Sequence, residues 1–246
     1  MYHFFAAHEN IYKNHIEIVD DDVNHIKNVL RMKVGDKLRI SSGDNIDYIC
    51  CISTIDENKI KADILSIDET GNELPIKVYL FQGLPKQEKM ELIIQKMVEL
   101  GVYSIIPVAM KRCVVKLDNK KAKSKVQRWN NIAESAAKQS KRSIVPQVQQ
   151  VMTFKEALTY AQNLDIKLLP YECAEGMEQT RNIIEQLAVG QSVGIFIGPE
   201  GGYDLSELEL AKQYEWESIT LGKRILRTET AGIMLMSVLM YKMEGF

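Results

Sequence analysis

From Ile76 onward the sequence alternates apolar strand-like runs with helical stripes, and this rhythm leaves few folds open to it. Strands are expected at Ile76–Gln82, Tyr103–Val108, Ile166–Pro170, Val193–Ile197 and Ser218–Leu221. Helices are expected at Lys86–Leu100, Lys125–Ser140, Thr153–Ala161, Met177–Leu187, Asp204–Tyr214 and Glu229–Met243. In the first of these Met90, Ile93, Ile94, Met97 and Val98 share one stripe, and Gly101 follows where a left-handed cap belongs. Such alternation predicts an α/β fold with a mostly parallel sheet covered on both faces.

The first 70 residues follow a different rhythm. Lys37–Ser41, Asp47–Ile55 and Lys59–Ile67 read as short strands, with Asp56-Glu57-Asn58 as a hairpin turn and Ser42-Gly43-Asp44 as a second turn. Val23, Ile26 and Leu30 recur at helical spacing just before them. This is the pattern of a small β-barrel or half-barrel. Asp68 to Asn72 is the best linker in the chain, so the expected domains are 1–70 and 73–246.

Hydrophobic residues make up 46% and charged residues 26% of the 246, which excludes a disordered chain or a disulfide miniprotein. The longest mostly apolar stretch, Gly232–Tyr241, is too short to span a bilayer. No secretory signal pattern precedes the first strand, and the expected location is the cytoplasm. Cys50 and Cys51 are neighbours on a strand and point to opposite faces, while Cys113 and Cys173 stand alone, so no disulfide or zinc motif is written here. All four histidines lie within the first 25 residues at no metal-binding spacing, so no metal is expected.

A net charge of −2 conceals a division. Residues 86–142 carry a net +9, against −5 for residues 1–70 and −6 for residues 143–246. This is either a solvated helix face or a surface for a polyanion. Val126, Trp129, Ile132, Ala133, Ala136 and Ala137 form an apolar stripe, and Trp129 reads as core. Lys121, Lys123, Lys125, Arg128, Lys138, Lys141 and Arg142 lie off it.

Open parallel sheets bind ligands at the carboxyl ends of their strands. Two expected strands there run into glycine-bearing loops: Gly198-Pro199-Glu200-Gly201-Gly202, and Gly222-Lys223-Arg224-Ile225-Leu226-Arg227-Thr228-Glu229-Thr230-Ala231-Gly232. Neither is a P-loop or a dinucleotide fingerprint. Glu200 disfavours a phosphate in the first loop. Asp204 and Glu207 have capping-box spacing for the next helix, and Thr228 is placed as N-cap of the last. That last helix is apolar almost all round and must be covered, within the domain or by a second subunit. Arg224 and Arg227 beside it suit phosphate binding.

Taken together, GPEGG at Gly198–Gly202 and LGKRILRTETA at Leu221–Ala231 resemble the RsmE family of SPOUT methyltransferases. Two further segments agree: KMELIIQKMVELG at Lys89–Gly101, and the Arg128-Trp129 to Arg142 region. The resemblance covers roughly residues 76–246 and is weaker before that, chiefly HIKNVLRMKVG at His25–Gly35. It implies methylation of uridine N3 in 16S ribosomal RNA of the small subunit, with S-adenosylmethionine as cofactor. It also implies a trefoil-knotted sheet, a PUA-like N-terminal β-barrel, and a homodimer with its active site at the interface. Two departures are His3, where the family has an arginine that contacts RNA, and Tyr203-Asp204 in place of Phe-Ser or Phe-Thr.

By carry-over, the cofactor-binding residues are Leu169, Pro170, Ile197, Gly198, Pro199, Glu200, Gly201, Leu221, Gly222, Ile225, Leu226, Thr228, Thr230 and Ala231. Glu200 is placed to face the cofactor's amino group or sulfonium. Arg227 is expected to contact phosphate or a uracil oxygen, and Glu229 to act as base or to orient one. Arg31, Lys111, Arg112, Arg128, Lys138, Arg142 and Arg224 are the expected RNA contacts. His3 is expected to make a weakened, pH-sensitive RNA contact. Two other readings stay open: a ribose 2′-O methyltransferase of the same superfamily, and a non-catalytic RNA-binding ribosome-assembly factor.

Overall fold

The computed structural model describes residues 1–172 and 176–244, which leaves Cys173 outside the described residues. Contacts divide the chain into two compact units: Met1–Glu73 with Ala137–Val145, and Leu74–Ala136 with Pro146–Phe246.

The N-terminal unit is a five-stranded sheet built from β1 (Tyr2–Phe5), β2 (His15–Ile18), β3 (Lys37–Ser41), β4 (Asp47–Ile55) and β5 (Ile60–Asp68). Its order is β1-β3-β4-β5-β2, with β1 parallel to β3 and the other pairs antiparallel. A short helix α1 (Asp21–Asn24) runs into a wider turn over His25–Val29, where sequence periodicity placed one helix. Alternate residues of the strands turn inward, so that Leu38, Ile40, Cys50, Ile52, Ile60 and Ala62 meet Phe4, Ile16, Val23 and Ile26 in one core. The β4–β5 hairpin closes at the expected turn, with Asp56 N–H donating to the Lys59 carbonyl at 2.9 Å. The two edge strands β1 and β2 lie outside what alternation in the sequence marked. The expected linker is pinned rather than loose: Asn72 N–H donates to Ser143 Oγ at 3.0 Å.

The second unit is a parallel sheet of β6 (Lys77–Gly83), β7 (Ser104–Ala109), β8 (Gln147–Val148), β9 (Met152–Thr153), β10 (Ile166–Pro170), β11 (Ser192–Ile197) and β12 (Glu217–Ile219). Its order is β12-β10-β11-β6-β7-β8, with β9 also pairing β7. The helices are α2 (Lys89–Glu99), α3 (Asn119–Ser140), α4 (Phe154–Tyr160), α5 (Met177–Glu185), α6 (Leu205–Gln213) and α7 (Thr228–Glu244). The α2 stripe is buried as its spacing requires, and Gly101 ends the helix at φ +96°. Trp129 is core, as expected. Helix α3 starts at Asn119, six residues before the expected Lys125, and these added first turns are lysine-rich and exposed, so no apolar stripe marks them. Helix α7 returns from the edge strand β12 to pack on α2 and β11. That return brings its N-terminus to the carboxyl ends of the central strands.

A cleft between two glycine loops

The loops after β11 and β12 and the end of β10 enclose a cleft of about 480 Å³, the size of a nucleoside-derived ligand site. Segments 170–172, 197–203 and 220–228 line it, together with Lys89 and Ala231.

Each loop is held by side chains from elsewhere in the sheet. Tyr203 lies buried beneath the first loop and donates from its hydroxyl to the Phe196 carbonyl at 2.5 Å. Burial pushes that hydroxyl well above the usual tyrosine range. Asp204 and Glu207 form the expected capping box of α6, and Glu207 also accepts from Lys111 N–H at 2.8 Å. Hydrogen bonds from the Ser206 hydroxyl and from Lys111 hold the Asp204 carboxyl down at about 2. Gly83 at the end of β6 touches the loop so closely that a Cβ there would lie 2.6 Å from Pro199 Cδ.

The charged wall of the cleft centres on Lys89. Its ammonium is 3.1 Å from Glu200 Oε1 and 3.2 Å from Glu229 Oε2, so one cation ties a carboxylate of the first loop to one at the start of α7. Glu200 also accepts from Lys86 N–H at 3.1 Å, which satisfies a donor just before α2. Burial raises the Glu200 carboxyl. Its own N–H, that of Lys86 and the Lys89 ammonium outweigh this and hold it below the usual carboxylate range. Its hydrogen bond to Glu200, opposed by burial and reinforced by Glu229, raises the Lys89 ammonium.

Most of the expected cofactor residues meet here: Pro170, Ile197, Gly198, Pro199, Glu200, Gly201, Leu221, Gly222, Ile225, Leu226, Thr228 and Ala231 all line the cleft. Leu169 does not, because it is buried within the sheet beside β12, and Tyr171 and Glu172 take its place at the cleft wall. Thr230 is exposed and off the cleft, since its position on the first turn of α7 turns it away. Thr228 is not the N-cap. Ala231 N–H donates to the Arg227 carbonyl at 2.9 Å, which makes Arg227 the capping position and Thr228 the first helical residue. The Thr228 hydroxyl instead donates to the Gly198 carbonyl at 2.7 Å.

Arg227 lines the cleft, whereas Glu229 lies behind it on Lys89. Lys223, Arg224 and Arg227 are exposed, and among the described residues none of the three has a carboxylate partner. Several other expected RNA contacts are already engaged. Arg142 is 3% exposed and paired with Glu73, so it is a buried structural cation and not a surface contact. Lys138 pairs with Asp22 at 2.9 Å, Arg128 with Glu91 at 2.9 Å, and Lys111 with Asp204 at 3.3 Å. Arg112 donates to the Gly201 carbonyl at 3.2 Å, while Arg31 is exposed at φ +53°. The expectation for His3 is overturned: it is 6% exposed, with Nε2 2.6 Å from Ser41 Oγ, in a network with Asp47.

Sequence reasoning passed over Lys89, Tyr203 and Gln82 as site residues. Lys89 and Tyr203 stand inside or beside the quoted motifs, and Gln82 is a polar residue closing an apolar strand, the signal that was there to use.

Among known proteins, the RNA methyltransferase domain profile matches residues 72–240, and an RNA methyltransferase PUA domain profile matches residues 18–65. Ribosomal RNA small subunit methyltransferase E of Bacillus subtilis (strain 168) is 40% identical over 230 residues, covering 92% of this chain and 90% of its own. A structure of that methyltransferase from Neisseria gonorrhoeae bound to S-adenosyl methionine superposes with a TM-score of 0.82 at 30% identity, covering 96% of this chain and 95% of its own. A Legionella pneumophila methyltransferase structure with bound SAM superposes with a TM-score of 0.84 at 32% identity, covering 96% of both chains.

Proposed function

The chain belongs to the RNA methyltransferase family that includes ribosomal RNA small subunit methyltransferase E, and we propose that it methylates N3 of a uridine in 16S ribosomal RNA. It is an enzyme, and S-adenosylmethionine is its cofactor. The observation that carries the reading is the cleft itself, lined by two glycine loops and by Lys223, Arg224 and Arg227, which have no carboxylate partner among the described residues. Its volume and its strand-end backbone suit an adenosyl group. Within the family the C-terminal chain is threaded as a trefoil knot, a reading supported by the return of α7 from the edge strand to the sheet centre.

When bound, the cofactor supplies an activated methyl on a sulfonium. The chain's own residues must place uracil N3 in line with that methyl and deal with the proton N3 carries. Loss of that proton spreads negative charge over the flanking carbonyl oxygens. The Arg227 guanidinium, which lines the cleft and has no carboxylate partner among the described residues, is placed to hold that charge. Glu229 is spent on Lys89 and positions the loops, so the N3 proton leaves through the open mouth of the cleft to solvent. Lys223 and Arg224 grip the RNA backbone around the target.

A homodimer is supported by the apolar groove of about 170 Å³ between α5 and α7, lined by the half-buried Met177, Ile184, Met234 and Val238. Among the described residues no helix is long and apolar enough to cross a membrane. The proposed setting is the cytoplasm, on the small ribosomal subunit.

The test offers labelled S-adenosylmethionine and small subunits lacking the modification, then identifies the methylated nucleoside. Label in 3-methyluridine is expected. Label in a 2′-O-methyl nucleoside would move the chemistry to ribose, and absence of both label and cofactor binding would leave an assembly factor. An Arg227→Ala protein is expected to lose roughly 10²-fold or more in kcat, with cofactor affinity retained.

A further inference from the structure

Gln82 closes the apolar strand β6 with no exposed surface, opposite Ile197 at the base of the first loop. Its Nε2 donates to the Gly83 carbonyl at 2.9 Å and to Thr228 Oγ1 at 2.8 Å. Only the NH₂ end of an amide can face a carbonyl, so Gly83 settles which end of the side chain points which way. Thr228 Oγ1 therefore accepts from Gln82, and its own proton goes to the Gly198 carbonyl at 2.7 Å. The result is a one-way relay from the central strand, through the first residue of α7, to the first glycine of the cofactor loop. A methionine would fill the same volume without the cost of burying an amide. The glutamine is present for its hydrogen bonds.

We propose that Gln82 is a positioning residue for the methyl donor, orienting the Gly198 carbonyl through Thr228 and so setting the spacing of the two cofactor loops. This rests on the reading of the cleft as the S-adenosylmethionine site. Thr228 and Gly198 line that cleft and Gln82 does not, so the effect of Gln82 on the ligand passes through them.

The test uses the full chain and compares Thr228→Val, which keeps shape and removes the hydroxyl, with Thr228→Ser, which keeps the hydroxyl. Gln82→Met and the Gln82→Met/Thr228→Val double variant complete the set. Cofactor Kd is read by calorimetry, and kcat and KM for RNA by methylation of unmodified small subunits. Thr228→Val and Gln82→Met are each expected to weaken cofactor binding about tenfold, or about 1.4 kcal/mol, with KM for RNA unmoved. Thr228→Ser should stay within about twofold of the parent, and the double variant should bind no worse than the weaker single one, because both changes break one path. Parental cofactor affinity in Thr228→Val overturns the proposal, as does strict additivity in the double variant. If Gln82→Met does not fold, Gln82→Leu takes its place, and parental cofactor affinity in a folded Gln82 variant likewise overturns the proposal. A parent chain that itself binds no S-adenosylmethionine overturns the cofactor reading and the proposal together, an outcome distinct from a parent that binds while its variants do not differ.

Discussion

His3 and Lys89 show how much a single side chain depends on what surrounds it. Burial drives the His3 imidazole down to about 4, with Asp47 opposing and Arg39 assisting. In the unfolded chain the imidazole keeps its ordinary value of 6.5, so as pH falls it takes up the proton before the folded protein does. Stability from this residue is therefore intact above about pH 6.5 and is lost progressively as pH falls towards 4. The loss is about 3 kcal/mol. Denaturant midpoints between pH 7 and 4 should fall less steeply in His3→Gln, which keeps a donor for Ser41 and cannot titrate; an unchanged slope would refute this. For Lys89, which bridges the two loops, the sign is equally definite. Lys89→Met leaves two carboxylates facing each other, and cofactor KM should rise severalfold, with Lys89→Arg recovering most of it. Equal KM values in parent and Met variant would show that the bridge is incidental.

At the scale of the element, charge in the sequence and charge available for binding proved to be different things. The basic residues of α3 and its flanks leave open a solvated face or a polyanion surface, yet at its C-terminal end they are spent internally, on Asp22 through Lys138 and on Glu73 through the following Arg142. Glu73 further accepts from Ser143 N–H at 2.9 Å and Ile144 N–H at 3.2 Å, so this pair closes the 137–145 segment onto the N-terminal unit. Arg142→Ala strands a largely buried carboxylate and should destabilise the protein by about 3 kcal/mol in thermal or denaturant unfolding. The last helix teaches the converse. Thr228 and Glu229 do mark its start, but the threonine hydroxyl serves a carbonyl 30 residues earlier in the chain instead of the local cap. Local propensity arguments weigh only neighbours in sequence, and a buried acceptor brought close by the sheet outbids them.

For the molecule as a whole, the exposed cations lining the cleft, unpaired among the described residues, set an ionic-strength prediction. Arg224→Ala should reduce the slope of log K for RNA against log salt by about 0.7–0.9, the signature of one lost phosphate contact. Arg142→Ala should leave that slope unchanged once folding is corrected for. A slope altered by Arg142 and untouched by Arg224 would reverse the assignment of RNA contacts made from burial. What the sequence determined by itself was everything written in short-range pattern. This includes the alternation that makes a parallel sheet, the β3 to β5 hairpins and the α2 stripe. It also includes the two glycine loops, because strand ends and turns are signalled by residues next to one another. Most of the lining of the cleft followed, since both loops lie at the carboxyl ends of strands of that sheet. The tertiary structure alone decided which polar side chains are free. Arg142 and His3 are buried, Lys138 is tied to Asp22, and Lys89, Tyr203 and Gln82 are brought into the site, by partners from 7 to 146 residues away in sequence. Hydrogen bonds and ion pairs are settled by proximity in space, and for partners so far apart along the chain that proximity exists only once the sheet has formed.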